Sequence, residues 1–177
     1  MRIVCFGDSN TYGYDPRGYF GGRYDAENRW VDLLAKQLDQ PTINLGMNGR
    51  EIPRTGIALP EEAEKLIIML GTNDVLQGAD ADTVIARMAH FLDQIKLPHT
   101  NILLIAPPPL QRGAWVDSEE LIEASTRLSA GYQRLAAERN IPFTDAAVWH
   151  VPLAFDGVHF TEEGHRIFAQ QLALLLI

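Results

Sequence analysis

The sequence predicts an α/β fold, in which one parallel sheet is packed between helices on its two faces. Short apolar runs recur along the chain, and each stops at a turn rich in glycine, proline or small polar residues. The segments between these runs carry apolar residues at helical spacing. Strands that alternate with helices in this way form a parallel sheet, because each helix returns the chain to the same edge.

The length and composition are typical of one globular domain. The chain has 177 residues, of which 46% are hydrophobic and 21% are charged, so a single domain over residues 1–177 is expected. A domain of this size buries roughly 70% of its unfolded surface and needs no disulfide or metal to hold it. The net charge of −8 disfavours nucleic acid and anionic membranes as main partners. Cys5 is the one cysteine, so no intramolecular disulfide can form.

The first apolar run also bears on location. The first predicted strand begins at Arg2, which leaves no room for the basic and apolar regions of a signal peptide. No apolar run reaches the ~18 residues that a membrane-spanning helix needs. We therefore expect a cytoplasmic protein without a membrane span, and the sequence leaves open whether it forms a homo-oligomer.

Five apolar runs are predicted to be the strands of the sheet. The run over 66–70 is apolar at every position, as expected of a central parallel strand that is covered on both faces. The predicted strands cover residues 2–6, 42–45, 66–70, 101–106 and 142–144.

Four long helices are predicted from apolar stripes and N-terminal caps. The expected caps are Asp80 or Asp82 for the second helix, Asp117 or Ser118 for the third, and Thr161 for the last. The predicted helices cover residues 30–38, 80–97, 118–140 and 161–176. The last helix is expected to bury Ile167, Phe168, Leu172 and Leu175.

Two connections differ from this simple alternation. Residues 51–65 are interrupted by Pro53, Gly56 and Pro60, so this crossover is expected to contain only a short helix or a single turn. Residues 12–28 contain Pro16 and four tyrosines, and they are expected to form either an ordered surface loop beside the site or a plain connector.

Polar clusters follow the first and third strands and precede the last helix. Because the carboxyl ends of parallel strands meet at one edge of the sheet, where open α/β folds bind ligands, we expect these clusters to lie close together. The clusters are Asp8-Ser9-Asn10, Thr72-Asn73-Asp74 and Asp156-Gly157-Val158-His159.

Within these clusters, Ser9 is expected to be a nucleophile and His159 its base. A serine hydroxyl is a poor nucleophile at neutral pH and needs an adjacent base. Asp156 stands three residues before His159, so its carboxylate can accept the Nδ1–H and leave Nε2 free to take a proton. Among the other histidines, His150 in a predicted loop is the serious competitor for this role.

An acyl-transfer site also requires donors to the oxyanion that develops on the substrate. The candidates are the backbone N–H of Ser9, the backbone N–H of Gly46 and the side-chain amide of Asn73. A glycine at position 46 permits close approach of the backbone to a substrate. Asp8 and Asp74 flank the proposed catalytic residues, and both are expected to be structural, holding turns by hydrogen bonds to the backbone.

Taken in order, these blocks resemble those of the SGNH hydrolase superfamily, the GDSL-type esterases and lipases. The matching residues are Gly7-Asp8-Ser9, Gly46, Gly71-Thr72-Asn73-Asp74 and Asp156-Gly157-Val158-His159-Phe160. The resemblance implies a flavodoxin-like, three-layer α/β/α sandwich with a five-stranded parallel sheet. It also implies Ser9 as nucleophile, His159 as base and Asp156 as orienting acid, with no metal or cofactor. One departure is Asn10, which stands where the family name has leucine.

The whole sequence is most similar to the branch of small arylesterases and acetyl-ester hydrolases. This resemblance implies hydrolysis of small carboxylic esters, with a short acyl group of the acetyl type as the first expectation. The residues expected to line the substrate pocket are Tyr12, Arg50, Trp115 and Trp149.

Other functions stay open at this point. The same triad serves lysophospholipases, thioesterases and acyltransferases, the last of which pass the acyl group to an acceptor other than water. Asp8, Asn73, Asp74 and His159 also resemble a metal-ligand set, although a two-metal phosphoesterase usually needs more ligands in close motifs. A further alternative is a binding domain that keeps the fold without the reaction.

Overall fold

The computed structural model describes residues 2–18, 20–60 and 63–177. Its strands, in chain order, are β1 Ile3–Gly7, β2 Tyr14–Asp15, β3 Gly22–Arg23, β4 Thr42–Gly46, β5 Lys65–Met69, β6 Ile102–Ala106 and β7 Phe143–Asp145. Five of them form a parallel sheet in the order β4-β1-β5-β6-β7. This is the flavodoxin-like order, and all five predicted strands are confirmed to within one residue at either end.

The two remaining strands lie in the loop over 12–28. Strands β2 and β3 pair antiparallel, with Tyr14 opposite Arg23 and Asp15 opposite Gly22. A short 3₁₀ helix, Ala26–Asn28, follows the hairpin. The loop is therefore ordered over the residues described, which agrees with the expectation of an ordered loop and not with that of a plain connector. Its hairpin was not predicted.

In the part of the chain that the structure describes, six α-helices accompany the strands, and polar side chains cap most of their N-termini. Asp80 accepts a hydrogen bond from the N–H of Thr83, Ser118 from that of Leu121, and Thr161 from that of Gly164. The predicted caps are thus confirmed as Asp80 and not Asp82, Ser118 and not Asp117, and Thr161. The helices are α1 Ser9–Tyr12, α2 Trp30–Leu38, α3 Thr72–Leu76, α4 Ala81–Leu92, α5 Glu119–Arg139 and α6 Glu162–Leu176.

Helix α4 ends five residues before the predicted end at residue 97. After Leu92 the backbone tightens, since the N–H of Gln94 bonds to the carbonyl of Phe91 and the N–H of Ile95 to that of Leu92. Ile95 is nevertheless buried, with 8% of its surface exposed. The apolar stripe therefore continues into the core although the α-helix does not.

The crossover between β4 and β5 contains no helix over residues 51–60 and 63–64, so the first of the two expected forms, a short helix, is wrong for this part. The second form, a single turn, agrees with the Ala63 N–H, which donates to the Pro60 carbonyl at 3.0 Å. The rest of that prediction falls on residues 61 and 62, outside the described residues. The chain is held here by tertiary contacts, because Ile52 is buried and its N–H donates to the Asp74 carboxylate at 2.9 Å. Pro53 and Pro60 have no backbone N–H to donate, and Ile57 and Leu59 of this segment pack against the core.

Two apolar cores lie on opposite faces of the sheet, which gives the predicted three layers. Val4 and Phe6 of β1 point into the core beneath α4 and α5, while Ile3 and Cys5 point into the core beneath α2 and α6. In α6, Phe168 and Leu172 are buried as predicted. Leu175 is exposed, contrary to the prediction, because Leu176 continues the buried stripe at intervals of four residues. Within the described ranges, no helix has both the length and the apolar content that crossing a membrane requires.

Candidate active site

Ser9, His159 and Asp156 form one hydrogen-bonded chain at the carboxyl edge of the sheet. Ser9 begins α1 directly after β1, and its Oγ lies 3.0 Å from His159 Nε2. The other ring nitrogen, Nδ1, lies 2.7 Å from Asp156 Oδ2. A carboxylate at Nδ1 holds the proton on that nitrogen, so Nε2 is left to accept the serine proton. The structure thus brings the three residues predicted for the triad together.

The turn that carries His159 is organised by Asp156. Its Oδ1 accepts the backbone N–H groups of Val158 and His159, each at 2.9 Å. Burial would raise the pKa of Asp156, but the hydrogen bonds from the His159 ring and from the two backbone N–H groups outweigh it, and the pKa is lowered. Asp156 is therefore ionised at neutral pH, as the partner of an imidazolium must be.

Asp8 caps α1, the helix that begins at Ser9. Its Oδ1 accepts the Asn10 N–H at 3.0 Å, which confirms the predicted structural role. Ser9 is the first residue of this helix, so its own N–H has no acceptor within the helix. Burial raises the pKa of Asp8 to about 6, although the hydrogen bond from Asn10 and the charges of His159 and Arg50 lower it.

Asn73 and Asp74, at the start of α3, both bind the segment over 50–52. Asn73 Nδ2 donates to the carbonyl of Arg50 at 3.1 Å, which orients the amide and leaves its second N–H for another acceptor. Asp74 accepts the Ile52 N–H at 2.9 Å and a hydrogen bond from Arg87 Nη1 at 2.8 Å. The structural role predicted for Asp74 is confirmed.

Gly46 is not placed as the predicted oxyanion donor, because its N–H already donates to Asn44 Oδ1 at 2.8 Å. A Cβ atom at this position would lie 2.0 Å from the backbone nitrogen of Tyr12. Glycine is therefore required here for the close approach of β4 to α1, and not for contact with a substrate.

Gly49, three residues later, has the open backbone that the prediction attributed to Gly46. It lies in a turn closed by the Arg50 N–H and the Met47 carbonyl at 3.2 Å, with a φ of 71°. No heavy atom lies within 4 Å of a Cβ built on Gly49. One glycine ends β4 and the other lies three residues beyond it, and only the packing of α1 against β4 separates their roles.

Two aromatic rings lie against the His159 imidazole. The ring of Trp115 meets the His159 imidazole edge-on, with centroids 5.1 Å apart, and 54% of Trp115 is exposed. Tyr14, in β2, lies on the imidazole at 4.5 Å. Trp115 was predicted to line the pocket, whereas Tyr14 was not singled out among the tyrosines of its loop. The only sequence signal for Tyr14 was its place in that tyrosine-rich segment.

The Arg50 side chain is bound to other parts of the protein and does not lie in an open pocket. Its Nη1 donates to the carbonyl of Gly7 at 2.9 Å and also to that of Leu45, so it links β1 to β4. The guanidinium lies 4.2 Å from the centroid of the Phe6 ring. Burial lowers the pKa of Arg50. Contact between Arg50 and a substrate stays a prediction.

Tyr12 and Trp149 also have protein partners. The Arg23 guanidinium lies 4.3 Å from the Tyr12 ring centroid. Trp149 packs edge-on against Phe168 at 5.0 Å, within the core beneath α2 and α6. The structure thus gives Trp149 a packing role that the sequence did not indicate, and substrate binding by these two residues stays a prediction.

The competing assignments find less support in this geometry. His150 is exposed and ends the 3₁₀ helix Ala146–Trp149 in a left-handed conformation. The carboxylate of Asp8 caps a helix and that of Asp74 is paired with Arg87, so the side chains suggested for a metal set are engaged elsewhere. Both ring nitrogens of His159 are hydrogen-bonded, one to Asp156 and the other to Ser9.

Solved esterases share this fold over nearly the whole chain. The aryl esterase of M. smegmatis is 28% identical, with a TM-score of 0.83, and the match covers 99% of this chain and 97% of that one. A carbohydrate acetylesterase family member from Sinorhizobium meliloti is 26% identical, with a TM-score of 0.82 and coverage of 99% and 96%.

A curated relative is similar in sequence as well. The isoamyl acetate-hydrolyzing esterase 1 homolog of Bos taurus is 25% identical over 147 residues, which is 72% of this chain. The chain spans about half the length of that relative, with 55% of it matched.

The family comparison agrees with the resemblance drawn from the motifs. The model of the GDSL-like Lipase/Acylhydrolase family matches residues 5–167, which include Ser9, Asn73, Asp156 and His159. The chain therefore belongs to the GDSL-like lipase/acylhydrolase family, a family of carboxylic ester hydrolases.

Proposed function

We propose that the protein hydrolyses small carboxylic esters by a serine mechanism, with Ser9, His159 and Asp156 as its catalytic triad. The observation that carries this proposal is the continuous hydrogen-bonded chain from Asp156 Oδ2 through the imidazole to Ser9 Oγ, with distances of 2.7 Å and 3.0 Å. A base within hydrogen-bond reach of the nucleophile, itself oriented by a third group, is the arrangement that activates a serine.

The reaction proceeds in two balanced halves. Ser9 Oγ attacks the ester carbonyl carbon while His159 Nε2 takes the hydroxyl proton, and the imidazolium then gives this proton to the departing alcohol oxygen. Water attacks the acyl-enzyme in the second half, with His159 taking one water proton and returning it to Ser9 as the acid leaves. The products are one acid and one alcohol, and one water is consumed.

The donors proposed for the oxyanion are the Ser9 N–H, the free N–H of Asn73 and the Gly49 N–H. Gly49 takes the place predicted for Gly46, whose N–H is bound to Asn44. In support, Asn73 is bonded to the carbonyl of Arg50, the residue directly after Gly49. The turn and the amide therefore belong to one cluster of donors, and one such donor contributes ~3 kcal/mol to transition-state stabilisation.

We propose a short acyl group, of the acetyl type, as the preferred substrate. The similarity to proteins named as aryl and carbohydrate acetyl esterases supports this choice. The local geometry agrees with it, because Ser9 keeps only 6% of its surface exposed and aromatic rings flank the base. A small ester fits such a restricted opening more readily than a long acyl chain.

The test is hydrolysis of p-nitrophenyl acetate, butyrate and octanoate by the wild type and by Ser9→Ala, with and without EDTA. We expect EDTA-resistant activity that is highest on acetate and falls by several orders of magnitude in Ser9→Ala. Ser129→Ala is the matched control, because it removes a serine hydroxyl bonded to Asp145, outside the triad. A fluorophosphonate probe should label wild type and Ser129→Ala but not Ser9→Ala.

The outcomes separate the alternatives. Full activity in Ser9→Ala, or abolition of wild-type activity by EDTA, would overturn the triad in favour of a metal site. A folded wild type that neither hydrolyses these esters nor reacts with the probe would be a binding domain. Added alcohols that divert the acetyl group from water would identify an acyltransferase.

A cytoplasmic location is also proposed from the sequence. The single cysteine is buried in β1, which suits a reducing compartment. Cell fractionation tests the location, and light scattering of the purified protein measures the oligomeric state, which the sequence left open.

A further inference from the structure

The side chain of Asn10 is bonded to both backbone neighbours of the catalytic base. Its Nδ2 donates to the carbonyl of Val158 at 3.0 Å, and its Oδ1 accepts the N–H of Phe160 at 2.9 Å. These two groups lie directly before and after His159 in the chain. Asn10 directly follows Ser9 in the chain. Its side chain therefore links the residue after Ser9 to the residues on either side of His159.

A primary amide suits this position because it presents one donor and one acceptor side by side. Val158 offers an acceptor and Phe160 a donor, so the amide orientation is determined and a reversed one would place like groups together. All three residues are buried, with exposed fractions of 4% for Asn10, 4% for Val158 and 0% for Phe160. Water therefore cannot readily replace the lost partners if the amide is removed.

The backbone of Asn10 is held as firmly as its side chain. Trp30 Nε1 donates to the Asn10 carbonyl at 2.9 Å, and the Asn10 N–H donates to Asp8 Oδ1 at 3.0 Å. The amide is therefore a fixed extension of α1. The loop that carries His159 is about 150 residues away in sequence. Among the side-chain hydrogen bonds of the described residues, only those of the Asn10 amide and the one between Ser9 and His159 join this loop to α1.

We propose that Asn10 is a positioning residue, which sets the distance between Ser9 Oγ and His159 Nε2 by binding the backbone on both sides of the base. The inference rests on the proposed triad mechanism. A leucine, as in the family name, has neither a donor nor an acceptor for these two groups. Asn10 acts through His159 and does not touch the reacting atoms, so its loss should lower kcat and leave KM unchanged.

The test compares wild type with Asn10→Leu and Asn10→Asp. Leucine removes both hydrogen bonds at similar volume, whereas aspartate keeps the acceptor for Phe160 and places an oxygen against the Val158 carbonyl. We expect kcat on p-nitrophenyl acetate to fall about 10- to 100-fold in both variants, as for misplacement by about 1 Å. The rate of Ser9 labelling by the fluorophosphonate should fall by a similar factor.

A second readout separates positioning from damage to the fold. The bonds between Asp156 and the backbone and ring of His159 lie within one turn and do not involve Asn10. The low-field proton resonance of His159 Nδ1–H should therefore persist in both variants while kcat falls. Thr42→Val is the control, because it removes a hydrogen bond to the Val31 carbonyl at the other end of the sheet and should keep wild-type kcat.

The proposal fails if folded Asn10→Leu keeps wild-type kcat, or if it loses the Nδ1–H resonance together with activity. Should Asn10→Leu not fold, the same two readouts on Asn10→Asp decide. Failure of the triad mechanism is recognised separately, because activity in Ser9→Ala would overturn the mechanism whatever the Asn10 variants do.

Discussion

Arg87 Nη1 lies 2.8 Å from Asp74 Oδ1 and joins helix α4 to the residue beside Asn73. The Asp74 side chain is fully buried, while Arg87 keeps 21% of its side chain exposed. The second carboxylate oxygen of Asp74 binds the Ile52 N–H. This ion pair therefore fixes the segment over 50–52, to which the Asn73 amide is also bound.

Removing the Arg87 guanidinium should lower the free energy of unfolding. In Arg87→Met the Asp74 carboxylate stays buried without its partner, and we expect the free energy of unfolding to fall by about 3 kcal/mol in urea titrations. Arg127→Met is the matched control, because Arg127 and Asp82 form an exposed pair at 3.4 Å with side chains 64% and 78% exposed. That variant should lose less than about 1 kcal/mol. Equal losses in the two variants would show that the burial of Asp74 is irrelevant.

Loss of the hydrogen bond between Asp156 and His159 should lower kcat. In Asp156→Asn an amide nitrogen would face His159 Nδ1 and shift the ring proton to Nε2, where it blocks uptake of the serine proton. We expect kcat to fall by about 10³- to 10⁴-fold with the fold retained. Asp145→Asn is the control, since Asp145 caps a turn by accepting the Ala147 N–H at 2.9 Å outside the triad. A similar loss in both variants would contradict the orienting role.

The main strands and long helices could be predicted because their signals are local. Each strand is an apolar run bounded by turn residues, and the caps at Asp80, Ser118 and Thr161 announce their helices. The short helices α1 and α3 carry too few residues for a periodic pattern, and β2 and β3 have two residues each. The end of α4 was misplaced because its apolar stripe continues beyond the last helical hydrogen bond.

The close approach of Ser9, His159 and Asp156 could be predicted because these residues appear as motifs in a required order. The remaining details depend on contacts between distant segments. Gly46 ends β4 and Gly49 lies three residues beyond it, and only the approach of the Tyr12 backbone shows which one is enclosed. The bonds from Asn10 to the loop of His159 span about 150 positions, so no local pattern reveals them. Tyr14 reaches the imidazole only because the hairpin folds over it.

His165 should contribute to acid sensitivity. It is fully buried in α6, and burial lowers its pKa from 6.5 to about 3. Its stabilising effect is therefore complete above pH 6.5 and is lost as the pH falls towards 3, because the unfolded chain takes up a proton that the folded protein excludes. Asp8, with its pKa raised to about 6, acts in the opposite direction over part of this range.

The corresponding experiment follows the free energy of unfolding from pH 7 to pH 4 in wild type and His165→Phe. The contribution of Asp8 is common to both proteins, so the difference between them isolates His165. We expect a smaller loss of stability on acidification in His165→Phe, even if the lost bond from the Trp30 N–H lowers its stability at pH 7. Parallel curves for the two proteins would contradict this assignment.

The exposed ring of Trp115 should influence the choice of leaving group. It stands edge-on to His159, which in the proposed mechanism gives a proton to the departing alcohol, so an aromatic alcohol can pack against Trp115 as it leaves. We expect Trp115→Ala to raise KM for p-nitrophenyl acetate about 10-fold, the equivalent of an aromatic contact, and to change KM for ethyl acetate much less. Trp115→Phe keeps an aromatic face and should lie close to wild type. Both variants retain the hydrogen bond from the Trp115 N–H to the Asp156 carbonyl, because it is a backbone bond. An equal rise in KM for the two esters would therefore indicate general disorder of the loop and would contradict contact with the leaving group.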